Sequence, residues 1–141
     1  MRPHHDPSRR AVLALALLAA LAPGASRACG ACVEDKVAAA YDHAVVQGAA
    51  ARGDVVVFCE VQGSADVQRL KRSTQHLRGV RPDSVRASAE PPSLSFAVDP
   101  KLRSPQAAVA AAERAAPGGT RLTIIRTLEA PAARRKRDDA V

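Results

Sequence analysis

Apolar positions along this chain follow two rhythms, and the points where one replaces the other mark its elements. Val33, Val37, Tyr41, Ala44, Val45 and Gly48 share one helical stripe, which predicts a helix from Val33 to about Ala51. Glu34 and Asp35 suit its positive N-terminal end, and Gly48 with Arg52-Gly53-Asp54 closes it. Val55 to Val61 is β-branched and apolar enough to be a central strand. Helical spacing returns from Asp66 to Leu77, with Val67, Leu70, Thr74 and Leu77 on one face. Ser64 or Asp66 can cap its start, Gly79 sits past its end, and Pro82 prevents continuation.

Two short strands follow, Ser84 to Ala89 and Ser93 to Val98, divided by the turn signal Glu90-Pro91-Pro92. Leu94, Phe96 and Val98 alternate with Ser95 and Ala97, so one face of the second is buried. Ser104-Pro105 opens a third helix that Pro117-Gly118-Gly119 ends, and Thr120 to Leu128 is the last strand, with Leu122, Ile124 and Leu128 inward. From Pro131 to Val141 the chain is a charged tail that cannot bury anything and is expected to be disordered.

After the first helix the order is β-α-β-β-α-β. Each helix can cover the same sheet face through right-handed crossovers, which predicts an α+β, ferredoxin-like sandwich over 55–130. The other face would present Val56, Phe58, Glu60, Ala97, Thr123 and Ile125. The additional N-terminal helix, within 29–54, has an apolar stripe that needs a partner, and it is expected on that open face or on the sheet edge.

Residues 1–28 read as a signal peptide rather than as part of the fold. Arg2, Arg9 and Arg10 precede the apolar run Ala11 to Ala22, which is shorter than the roughly 20 residues of a permanent span. Ser26-Arg27-Ala28 offers a cleavage site after Ala28, and Ser8-Arg9-Arg10 resembles a twin-arginine export signal. Ser26 and Arg27 do not fit the pattern that precedes a lipidated cysteine. The expectation is a periplasmic or secreted protein of one domain, with no stable membrane span after cleavage.

Charge then changes little. The net +7 includes four Arg and one Asp of the signal segment and the basic tail, leaving about +2 on the globular part. With two Phe, one Tyr and no Trp, nucleic acid is not the expected partner. The Arg- and Ala-rich bias fits a GC-rich bacterial genome. Oligomeric state is not legible.

The segment from Val57 to Ala115 resembles a heavy-metal-associated domain, the copper-chaperone-like module. The resemblance is carried by Val61-Gln62-Gly63, Leu77-Arg78-Gly79-Val80, Ser84-Val85, Leu94-Ser95-Phe96-Ala97-Val98-Asp99-Pro100 and Ser104-Pro105 through Ala111-Ala112-Glu113. It implies the ferredoxin-like fold and soft-metal handling. That family carries its metal on a Met-Thr-Cys-x-x-Cys loop after the glycine, whereas Gly63 here is followed by Ser64-Ala65-Asp66-Val67. The family's metal ligands therefore transfer to no residue of that loop.

The chain has one CxxC, Cys29-Gly30-Ala31-Cys32, at the expected mature N-terminus. Two thiolates at this spacing can hold Cu(I) as a pair or supply half of a tetrahedral Zn(II) site. The same pair can instead close a structural disulfide in an oxidising compartment, within a protein-interaction module that holds no metal. A thiol–disulfide exchanger is the third reading; it lacks the βαβ unit that normally precedes such a motif, and Glu34 and Asp35 oppose thiolate formation. Cys59 falls on the core side of its strand and is expected to be a buried, inert thiol, or a third ligand if the N-terminus folds back. His43 lies about three turns, or roughly 16 Å, beyond Cys32 on a continuous helix and cannot share its metal unless that helix breaks. His76 is expected on the surface, and Glu60 solvated or paired with an arginine. No phosphate loop, nucleophile elbow or His-Glu-x-x-His is present, so an enzyme is not expected. The expected activity is binding of Cu(I) or Zn(II) through Cys29 and Cys32, with a metal-transfer protein as partner.

Overall fold

A computed structural model describes residues 32–63, 66–116 and 118–129. The elements are α1 (Val33–Ala39), α2 (His43–Arg52), β1 (Val55–Gln62), α3 (Val67–Gln75), a 3-10 turn (Pro82–Ser84), β2 (Arg86–Ala89), β3 (Pro92–Val98), α4 (Pro105–Ala115) and β4 (Arg121–Glu129). The expected signal segment 1–28, Cys29 and the tail from Pro131 lie outside the described residues. The described residues form an α+β protein whose single sheet has the order β2-β3-β1-β4, every neighbouring pair antiparallel.

The strand alternation of β1 assigns its side chains to two layers. Val55, Val57, Cys59 and Val61 join Leu70 of α3 and Ala108, Val109 and Ala112 of α4 in one core. Leu70, Leu94 and Phe96 are fully buried there, and each such side chain contributes about 1.5–3 kcal/mol relative to exposure. Helix ends follow from side-chain chemistry. Asp66 Oδ1 accepts from the N–H groups of Gln68 (3.0 Å) and Arg69 (3.1 Å), and Ser104 Oγ accepts from Ala107 (3.2 Å) with Pro105 in the first turn.

Val56, Phe58 and Ala97 point to the other face, where Val37 of α1 and Ala49 of α2 cover them. The N-terminal segment thus docks on the face that β-α-β-β-α-β leaves open, but it is two helices, not the one expected from Val33 to Ala51. The break has a local cause and a distant one. Asp42 Oδ1 accepts from the N–H groups of Ala44 (2.9 Å) and Val45 (3.3 Å), which starts a new helix. The Ala40 carbonyl, which a continuing helix would offer to Ala44, instead accepts from Ser95 Oγ on β3 at 2.5 Å. Tyr41, between the helices, stacks on Phe58 with ring centroids 6.4 Å apart. Buried Ala40 and Ala49 replace Tyr41 in the expected stripe, and Val33 and Tyr41 are each 45% exposed.

A second departure lies in β4. Its register against β1 shifts between Phe58 and Cys59, which pair with Arg126 and Ile124 and leave Ile125 as an extra residue. Leu122 and Ile124, before the shift, face the α3/α4 core as expected. Leu128, after it, is turned to the opposite face and packs with Val56 and Phe58, because one extra residue reverses a two-residue alternation.

Candidate functional site

Cys32, the member of the CxxC inside the described residues, is exposed and its thiol is free. It is the residue that caps α1, and its own N–H donates to Asp35 Oδ2 at 3.2 Å. Cys29 lies outside the described residues.

α1 is held on the sheet by three contacts. Val37 packs into the core of Val56 and Phe58. Lys36 Nζ meets Glu60 Oε1 at 2.6 Å in a half-buried pair. Glu34 meets the Arg126 guanidinium of β4 with both carboxylate oxygens. Glu60 is therefore neither solvated nor arginine-paired; its partner is the lysine that the helix sets above it. The Glu34–Arg126 pair gives one of the two acids that follow Cys32 its own counter-charge. Sequence gave no signal for this pair, since its members are 92 positions apart.

Cys59 is fully buried among the α3/α4 core residues, and burial pushes its thiol up to about 12. It lies on the sheet face opposite α1, so the sheet stands between it and Cys32. The inert-thiol expectation matches this placement, and the folded-back third-ligand expectation does not.

The α1–α2 break removes the geometric objection to His43, yet among the described residues His43 joins no metal-holding cluster. His43 begins α2 with its Nδ1 3.5 Å from Tyr41 Oη. Among the described residues, no group of three or more His, Cys, Asp or Glu side chains could hold a metal ion. His76 ends α3 on the far layer and is exposed.

Gly63 stands just before the position of the resembled family's metal loop, and backbone approaches it closely. Gly63 has φ +93°, and a Cβ on it would stand 2.1 Å from the Gly119 carbonyl oxygen. A separate cleft of about 160 Å³ lies between α2 and the 3-10 turn, over Gly48. Its arginines are engaged: Arg52 Nε donates to Asp54 (2.8 Å) and Arg86 Nε to Asp42 (2.9 Å).

Comparison with protein families, characterised proteins and solved structures found no match. No helix among the described residues is long and apolar enough to cross a membrane.

Proposed function

We propose that this protein is an exported binder of a soft metal ion, copper before zinc, and that Cys29 and Cys32 hold the ion. The observation that carries the reading is Cys32 itself: a free, exposed thiol at the start of a helix that Val37, Lys36 and Glu34 fix to the sheet. A thiol so placed is open to solvent and to a metal-transfer partner while its backbone is held. Two thiolates suffice for Cu(I), whereas a tetrahedral Zn(II) site needs two further ligands, and the described residues offer no cluster that supplies them. That chemistry supports copper.

The ferredoxin-like sandwich is part of the same proposal. The strand order β2-β3-β1-β4 and the placement of α3 and α4 on one face support it. The added feature is the α1–α2 pair, which covers the second face and displays the cysteine there. Among the described residues no catalytic set accompanies Cys32, which supports reading the protein as a binder and carrier.

The test is a titration of reduced protein with Cu(I) against a competing chelator, without oxygen. Near-stoichiometric uptake is expected for the unaltered protein and for Cys59→Ala, because Cys59 is across the sheet. Uptake should be lost in the double variant Cys29→Ser, Cys32→Ser; unchanged uptake there overturns the reading. Intact-mass measurement of exported protein separates the rival directly. A permanent two-hydrogen loss with no metal recovered would make the CxxC a structural disulfide in an interaction module.

A further inference from the structure

Ion pairing divides the described cations by position. Lys36, Arg52, Arg81, Arg86 and Arg126 each meet a carboxylate. Apart from Arg121 at the start of β4, the described cations without a carboxylate partner fall in one region. They are Arg69, Lys71 and Arg72 of α3, Arg78 just after it, Lys101 and Arg103 before α4, and Arg114 of α4. α3 and α4 pack side by side on one sheet face, and most of these side chains are exposed. The loop joins them: Arg103 Cβ would be 3.1 Å from a Cβ on Gly79, and the Asp99 N–H donates to the Gly79 carbonyl at 2.9 Å.

The nearby acids cancel only part of this charge, because Asp66, Asp83 and Glu113 stand against seven cations. Asp66 and Glu113 accept from backbone N–H groups, and Asp99 accepts from Arg81 and from the Lys101 N–H. From Val67 to Pro82 the sequence has no acidic residue. Arg103 Nη1 is buried with no hydrogen-bond partner in the described chain, and no described carboxylate pairs with that side chain. Between Lys101 and Arg103 stands Leu102, 55% exposed and the most exposed large apolar side chain among the described residues.

We propose that the layer of α3, α4 and the 99–103 loop docks on an anionic phospholipid surface, its cations meeting lipid phosphates and Leu102 entering the acyl boundary. Clustered Lys and Arg are attracted to such a surface over about a Debye length, and a cation-flanked apolar tip suits the boundary between headgroups and acyl chains. A nucleic acid fits less well. Phe58 and Phe96 are buried and Tyr41 belongs to the α1/α2 layer, so this face has no aromatic platform for bases. Docking would leave α1 and Cys32 on the far side of the sheet, directed away from the lipid. The proposal does not depend on what the thiols bind.

The experiment is co-sedimentation of the whole chain with vesicles of phosphatidylcholine alone and of phosphatidylcholine mixed with phosphatidylglycerol. Binding should be selective for the mixed vesicles and should fall as salt is raised. Arg69→Gln with Arg72→Gln should weaken it roughly thirtyfold, at the usual contribution of a surface cation. Arg86→Gln with Arg126→Gln removes the same charge from paired positions and should have a much smaller effect. Leu102→Ser should weaken binding to mixed vesicles; unchanged binding removes Leu102 from the contact. Equal binding to both vesicle types overturns the proposal, since that is what insertion of the apolar run Ala11 to Ala22 would give. So does full binding by the Arg69/Arg72 variant. Binding to polyglutamate or duplex DNA without binding to vesicles replaces the lipid with an acidic macromolecule.

Discussion

Asp54 and Arg81 form a two-point ion pair, with Arg81 Nε 2.9 Å from Asp54 Oδ2 and Nη2 3.0 Å from Oδ1. Asp54 is 2% exposed and lies between α2 and β1, while Arg81 follows α3. Arg52 adds a third contact to the same carboxylate, and Arg81 reaches on to Asp99 at 3.3 Å. One buried acid therefore ties the α1/α2 layer to the loops beyond α3.

Asp54→Asn keeps the shape and removes the charge that both guanidiniums approach. Because Arg52 and Arg81 remain partly exposed, water recovers some of the loss, and a destabilisation of about 2 kcal/mol is expected rather than the larger cost of a fully buried pair. Urea unfolding measures it. A midpoint equal to that of the unaltered protein would show that the pair contributes nothing net.

The same carboxylate gives a pH dependence with a defined sign. The hydrogen bond from Arg81 holds Asp54 below the usual aspartate range, ahead of the contribution from Arg52 and against the opposing effect of burial. A depressed folded-state value means the unfolded chain binds the proton first. The stability from Asp54 is then complete above about pH 4 and is lost as pH falls through the lower folded value. Asp42 adds to the trend, its value lowered by the Val45 N–H and by Arg86. Unfolding followed across acidic pH should show a slope that is shallower in Asp54→Asn, and equal slopes would contradict the assignment.

Two glycines with positive φ should respond very differently to alanine. At Gly53, φ is +74° and a Cβ would meet nothing within 4 Å, so the cost is the left-handed backbone alone, about 1 kcal/mol. At Gly63 the added Cβ would also overlap the Gly119 carbonyl, and the ends of β1 and β4 would have to separate. Gly63→Ala should cost upwards of about 3 kcal/mol or prevent folding. Thermal unfolding of both variants makes the comparison, and similar losses would refute the close approach.

What the sequence made legible here was local. Alternation assigned Val57, Cys59 and Val61 to one face and Val56 and Phe58 to the other, and the structure places them so. Asp66 and Ser104 are local caps, readable from one or two turns of chain. The misplaced elements were decided from a distance. A helical stripe cannot report that Ser95, 55 positions away, will claim the Ala40 carbonyl. Nor can alternation in β4 report the extra residue Ile125, which follows from fitting β4 to β1 and reverses Leu128. At the site, Cys32 was visible as half of a CxxC. Its setting was not, because Arg126 and Glu60 reach α1 through the tertiary fold.

The two described cysteines differ enough for the fold around Cys32 to be tested without any metal. Cys59 combines full burial with a thiol pushed up to about 12. At pH 8 its thiolate fraction is then about one in ten thousand, before any loss from restricted access. Cys32 is exposed at the start of α1, so an alkylating reagent meets it directly. Reduced native protein treated with iodoacetamide and analysed by peptide mapping should carry the label on the Cys32 peptide within minutes. The Cys59 peptide should take it only after denaturant is added. Weakening the α1/α2 layer with Val37→Ser should leave Cys59 protected, because that layer covers the opposite sheet face. Rapid native labelling of Cys59, in either protein, would mean that the α3/α4 core opens far more readily than its packing implies.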